Sequence, residues 1–167
     1  FPVEDKKKPD GSVLTALDRE LERAAQNPPE KAEDFAILLD TLFKKHLWCV
    51  PAAKGEDIDI SLYDRMKSTA AISVCLKRSG ESDQPFLLLA ADFSGIQNYI
   101  FTVAQTNNKG VAKRLRARSF LVDVMIQSLA YQVCDEMQLP YGNILMLTGG
   151  KFYLLLPNQP ETVEKLH

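Results

Sequence analysis

Histidine and cysteine are scarce in this sequence. Only His46 and His167 occur, so histidine-rich metal chemistry is excluded within the chain. Cys49, Cys75 and Cys134 are odd in number and far apart, which argues against a disulfide framework and against a four-ligand zinc site. A reducing, cytoplasmic setting is the simpler expectation. No apolar run reaches the roughly 18 residues of a membrane span, so no membrane partner is expected. Neither sign of charge is in large excess. A net charge of −2 supplies no global basic field to draw the chain to nucleic acid or anionic lipid.

What is present is the composition of a folded protein. Of 167 residues, 46% are hydrophobic and 25% charged, enough apolar material for a real core. The chain opens on Phe1 and ends in what reads as the start of a helix, so a fragment of a larger protein is expected. The two parts differ in charge. Residues 1–85 carry 13 Lys+Arg against 16 Asp+Glu, and residues 86–167 carry 7 against 6. The predicted division is a helical segment over 1–85 and a second domain over 86–167.

Residues 1–11 are polar and read as a lead-in, with the lysine triplet Lys6–Lys8 as a solvated loop. A helix is predicted after Ser12, on the stripe Leu14, Leu17, Leu21 and Ala24, until Asn27-Pro28-Pro29 stops it. A second runs from Glu30 to Leu47, with Phe35, Leu38, Leu39, Leu42 and Phe43 on one face. Pro51–Asp59 reads as a linker. Ser61 and Asp64 form a capping-box pattern that opens a third helix, to about Lys77. Arg78–Pro85 is polar and turn-rich, the best boundary.

Phe86–Ala91 is a short apolar run between turn signals, predicted as a buried strand. Gln105–Gly110 reads as a loop. Val111–Met137 is the longest element, a helix with the stripe Leu115, Val122, Ile126, Leu129, Val133 and Met137, widened by Phe120, Leu121 and Met125. Asn143–Leu147 and Phe152–Leu156 are predicted strands joined at Gly149-Gly150. Pro160-Glu161 suits a first helical turn. The fold class is therefore α+β: a helical N-terminal segment followed by an incomplete ferredoxin-like, palm-type βαββα domain. Its last strand is missing, which leaves the first strand as an open edge.

In that plan two bends lie side by side. The first strand delivers Asp92, Phe93, Ser94 and Gly95, and the hairpin delivers Gly149, Gly150 and Lys151. A strand-end carboxylate beside a Gly-Gly hairpin is the geometry of palm-type nucleotidyl cyclases and polymerases, where two carboxylate positions hold metal ions that clamp phosphates. Here Lys151 and Phe152 follow the glycines where acids would stand. An ammonium repels Mg²⁺ and attracts phosphate, so this arrangement is read as able to hold a nucleotide but not to run two-metal chemistry alone. No catalytic residue and no metal ligand are assigned. The same glycines also read as a plain hairpin turn, and Ser94-Gly95 as a helix cap after a strand.

Lys113, Arg114, Arg116 and Arg118 crowd the opening turns of the long helix, holding four of the seven basic residues after position 85. Cations there oppose the helix dipole, which favours negative charge at an N-terminus. An anion is one explanation, either nucleotide phosphate or RNA backbone; a solvated face or salt bridges to another domain are others.

Taken together, the stretches Asp92–Gln97, Lys113–Phe120 and Thr148–Pro157 resemble the first palm domain of the large subunit of type III CRISPR effector complexes, closest to the type III-A (Csm) branch. Leu47–Pro51 and Asp59–Asp64 resemble the segment that joins that family's HD nuclease domain to the palm. The pattern departs at Arg65, where the family leads one to expect histidine. The resemblance implies an antiviral subunit assembled with other Csm subunits, guide RNA and target RNA. It implies paired palms that convert ATP, the substrate, into cyclic oligoadenylates, and an HD domain that cuts single-stranded DNA. The Gly-Gly-Asp-Asp motif and most of the Mg²⁺ or Mn²⁺ binding belong to a second palm. Neither that motif nor a His-Asp pair occurs here. Carried over, Ser94, Gly95 and Ile96 are nucleotide contacts, with Asp92, Gly149 and Gly150 beside them.

Two other readings remain open on the residues alone. One is an RNA-binding ferredoxin-like module, faintly suggested by Gly150-Lys151-Phe152-Tyr153, although Leu87, Leu88 and Leu89 offer no matching aromatic. The other is a structural palm that docks partner subunits without a ligand.

Overall fold

A computed structural model of the chain describes residues 11–52, 60–102 and 110–166. The lead-in over 1–10, most of the 51–59 linker and the 105–109 part of the predicted loop lie outside the described residues. The order is α1 (Gly11–Gln26), α2 (Ala32–Leu47), α3 (Leu62–Ser79), β1 (Phe86–Asp92), α4 (Ile96–Phe101), α5 (Val111–Glu136), β2 (Ile144–Thr148), β3 (Lys151–Pro157) and α6 (Pro160–Leu166). This is an α+β chain. It divides into two compact units, Phe1–Thr69 and Ala70–His167. No helix among the described residues is long and apolar enough to cross a membrane.

In the first unit, α1 and α2 bury Leu17, Ala24, Leu42 and Leu47 together with Val50 and Tyr63. The apolar stripes read from the sequence supply this core, because residues three and four apart share a helix face. Ser12 lies inside the first turn of α1 instead of preceding it. The Asp64 amide donates to Ser61 Oγ at 3.4 Å, the first half of the predicted capping box. Tyr63 is 4% exposed and donates its hydroxyl to Asp40 Oδ1 at 3.0 Å. Burial, with the Asp40 charge beside it, pushes the phenol well above its ordinary range. Glu20 of α1 accepts from Lys45 Nζ at 2.7 Å, and His46 Nε2 lies 3.3 Å from its other oxygen. Lys45 first, then His46, holds the Glu20 carboxyl below the usual carboxylate range.

In the second unit, three strands pair antiparallel in the order β1-β3-β2. Phe152, Leu154 and Leu156 of central β3 point to one face. They pack with Ile126, Ala130 and Cys134 of α5 and with Met137, Leu139 and Ile144. Gly149 and Gly150 close the β2–β3 hairpin at φ 58° and 80°. Two successive left-handed residues match the twist of paired strands, and glycine takes them without a Cβ penalty.

Two expectations need correction here. β1 is not a fully buried strand: Leu87, Leu89 and Ala91 are half-buried, while Phe86 and Leu88 on its other face are 41% and 57% exposed. At the sheet edge, alternate side chains point to opposite faces and only one face has the α5 core behind it. Nor is the α5 stripe as wide as the residue types predict. Val122, Ile126, Ala130 and Cys134 form a narrow buried line, and Phe120, Leu121, Met125 and Leu129 remain exposed. Steps of four keep that line on one face of the helix, with Val133 packed beside it.

Asn143, in a single 3₁₀ turn (Tyr141–Asn143) before β2, is 1% exposed. Its amide donates to the Leu155 carbonyl at 2.8 Å and approaches Cys75 Sγ at 3.6 Å. Burial raises the Cys75 thiol, so it behaves as a small buried hydrophobe. Arg78 Nη1 donates to the Met137 carbonyl at 2.9 Å, and its Nη2 donates to that of Gln138. The segment after α3 is also tied to the end of β3, through Asn158 N–H to the Pro85 carbonyl at 3.1 Å.

Replacing Asn143 with Ala leaves the part-buried Leu155 carbonyl to the weak Cys75 thiol donor at 3.6 Å and should cost about 1–3 kcal/mol, read from the denaturant midpoint. The Glu20 pair sets a pH dependence. Its folded pKa is depressed, so its stabilisation is present above the ordinary carboxylate range and is lost as pH falls through it. The thermal midpoint should fall between about pH 6 and about pH 3, and less steeply in Glu20→Gln.

Candidate functional site

The β1–β3 ladder ends with Asp92 opposite Lys151. One residue further, the Phe93 amide donates to the Gly150 carbonyl at 3.0 Å. The bend after β1 and the β2–β3 hairpin are therefore joined through backbone. Ser94, Gly95 and Gly149 are exposed, Ile96 is half-buried and Gly150 is buried. Gly95 takes φ 75° and stands at the N-cap of α4, with no side-chain capping bond. The cap position falls on a glycine, so the Ser94 hydroxyl is not used as the cap.

Gly150 is buried for a specific reason. A Cβ there would overlap Ile96 Cδ1, lie 3.5 Å from Ile96 Cγ1 and 3.7 Å from Val122 Cγ1. Ile96 is thus the peg that seats the α4 bend on the hairpin, in the space a glycine leaves. Sequence reasoning placed Ile96 beside the ligand and did not find this contact. The only signal was the glycine itself, since Val122 is distant in sequence.

Lys151 Nζ lies 3.2 Å from Asp92 Oδ2, with the two side chains 50% and 57% exposed. The lysine's first partner is the strand-end carboxylate. The pair is solvent-open, so its Coulomb energy is screened and the ammonium can turn to a stronger anion at small cost. A divalent ion does not fit this donor set, a lone carboxylate already facing an ammonium. Among the described residues there is no group of three or more His, Cys, Asp and Glu able to hold a metal.

The basic turns of α5 follow Gly110, the N-cap, at φ 93°. Lys113, Arg114 and Arg116 are exposed, and Arg118 is half-buried. Arg118 turns toward α4. Its Nη1 donates to the Tyr99 carbonyl, and its Cζ lies 4.9 Å from the centre of the Tyr99 ring. The structure thus brings Asp92, Ser94, Gly95, Ile96, Gly149, Gly150 and Lys151 together at one end of the sheet, with Arg118 reaching the helix that begins there.

This is an α+β domain whose sheet ends in a solvent-facing pair of glycine-bearing bends, backed by a long helix that opens in cations. Residues 85–167 match the family model of the Csm1 subunit domain B. The chain belongs to the Cas10/Csm1 family of subtype III-A CRISPR systems. It is 31% identical to the CRISPR system single-strand-specific deoxyribonuclease Cas10/Csm1 of Methanocaldococcus jannaschii, a match covering 68% of this chain and 19% of that protein. It is also 31% identical to the protein of the same description from Thermococcus onnurineus, over 89% of this chain and 20% of that one. The crystal structure of Csm1 from T. onnurineus superposes with a TM-score of 0.75 at 29% identity, covering 93% of this chain and 21% of that chain. A Csm1–Csm4 cassette in complex with one ATP superposes at 0.73 and 28% identity, over 93% and 21%. The same type of cassette in complex with cA4 superposes at 0.72 and 27%, over the same shares. The chain spans about a fifth of the length of the relatives it matches.

The peg-and-notch contact has a direct test. Gly149→Ala should cost about 1 kcal/mol, from its positive φ alone. Gly150→Ala should cost about 1–2 kcal/mol more, because Ile96 must move. In an Ile96→Val background, which lacks the colliding methyl, that excess should shrink. Denaturant titration of the four variants reads the difference.

Proposed function

We propose that the bends at 92–96 and 149–151 form the nucleotide-binding half-site of a palm domain, which holds ATP for cyclic oligoadenylate synthesis completed elsewhere. The carrying observation is the Phe93 amide bonded to the Gly150 carbonyl, which holds the two bends against each other at the exposed end of the sheet. Ser94 and Gly95 contribute a side chain of one hydroxyl and one of none, so a base or a phosphate can approach the backbone closely. Asp92, Gly149 and Gly150 frame the contact. Lys151, Lys113, Arg114 and Arg116 supply positive charge for the phosphates or for guide RNA, while Arg118 is bonded to the Tyr99 carbonyl. The solved Csm1–Csm4 cassettes with ATP, AMPPNP and cA4 support the ligand class.

In this reading, residues 86–167 are the first palm, and residues 1–85 belong to the segment after an HD-type domain. The family match that starts at residue 85 supports that boundary. A second palm with Gly-Gly-Asp-Asp supplies the metal-binding carboxylates, Mg²⁺ or Mn²⁺, and the chemistry. An HD domain elsewhere in the whole protein cuts single-stranded DNA. Csm subunits, guide RNA and target RNA are its partners in the cytoplasm. The Csm1–Csm4 cassettes support the first of these.

ATP titration tests the half-site. Saturable binding should be lost in Ser94→Arg while the thermal midpoint holds. Wild-type chain that takes up no ATP, but binds single-stranded RNA through Tyr153, would overturn the reading. The chain alone should form no oligoadenylate from ATP and Mg²⁺ above a mock preparation, since it offers a single, lysine-paired carboxylate at the site.

A further inference from the structure

We infer that Arg118 is a positioning residue: it caps the C-terminal end of α4 and so sets where Ser94 and Gly95 stand. The inference rests on the reading of that bend as the nucleotide contact. It gives Arg118 a role distinct from that of Lys113, Arg114 and Arg116, which are exposed.

Three observations carry it. First, α4 has six residues, too few to hold a helix on local propensity. It must be held at its ends. Second, both ends are held. Ile96 fits the space left by Gly150 at the N-terminal end. At the other end the Arg118 guanidinium donates to the Tyr99 carbonyl and stacks over the Tyr99 ring, with Cζ 4.9 Å from its centre. Third, a single residue, Tyr99, joins the two ends through its amide on one side and its carbonyl on the other. The Tyr99 amide donates to the Gly95 carbonyl at 3.0 Å. The bonded line therefore runs from the Arg118 guanidinium through Tyr99 to Gly95.

The charge logic agrees. A cation in the early turns of α5 opposes the dipole of its own helix, but it meets the negative end of α4. The guanidinium is flat and carries several donors in a fixed fork, so it can bond the carbonyl and cover the ring together. A lysine ammonium is a point charge without that flat face, so it matches the pair of contacts less well.

The test uses the full chain with Arg118→Met, Arg118→Lys and, for comparison, Arg116→Met. Hydrogen exchange of the Tyr99 amide should quicken by about tenfold in Arg118→Met and by less in Arg118→Lys, because a bond to a charged donor is lost or kept. It should not change in Arg116→Met, and the Leu154 amide of the core should be unaffected in all three. ATP affinity should fall in both Met variants, with different salt dependence. Arg116→Met should flatten the loss of affinity with added salt, as expected when a direct ionic contact goes. Arg118→Met should weaken binding at every salt concentration by the same factor, with Arg118→Lys restoring part of it. An unchanged Tyr99 exchange rate in Arg118→Met, or a salt slope flattened as in Arg116→Met, overturns the inference. Wild-type chain that binds no ATP overturns the half-site reading instead, and Tyr99 exchange still decides whether Arg118 holds α4.

Discussion

The antiparallel ladder between β1 and β3 is the constraint on which the rest of the second unit depends. It runs without interruption from Phe86 opposite Pro157 to Asp92 opposite Lys151. A slip of one residue would turn Leu87 and Leu89 out of the core, and would also separate Asp92 from Lys151. The same register therefore serves packing and site. Apolar burial of Phe152, Leu154 and Leu156 under α5 pins it, and the two bends at its end come together as a consequence.

Two of the cations at this end of the sheet already have a partner within the fold. Lys151 answers Asp92, and Arg118 answers the carbonyl end of α4. These pairs differ in kind. The first is an exposed ion pair, weakly held and able to exchange partners. The second is a directed bond with a stacked ring, which fixes a short helix that could not persist alone. Within a basic cluster that reads as uniform in sequence, geometry ties Arg118 to α4.

The first unit follows simpler rules. Two amphipathic helices close on their apolar stripes, and the Glu20–Lys45 pair joins their exposed flanks. Tyr63 fills the end of that core and satisfies its hydroxyl on Asp40. None of this requires a ligand, and burial makes the Tyr63 phenol less reactive, as it does the Cys75 thiol of the second unit.

Much of the fold was legible in the residues, because its signals are local. Helical spacing placed α1, α2, α3 and α5, turn residues placed the hairpin, and Pro160 placed α6. The α+β class and the order of elements followed from those periods. The family was legible from Asp92–Gln97, Lys113–Phe120 and Thr148–Pro157, since side-chain types at set positions are all a motif needs. What the sequence could not determine are relations between residues far apart in the chain. That Gly150 is small to admit Ile96, that Arg118 belongs to Tyr99, and that Asn143 closes on Leu155 depend on three-dimensional neighbours, to which periodicity is blind. The width of the buried face of α5 was misjudged for the same reason. Residue type says which side chains could be buried, and only packing decides which of them meet another surface.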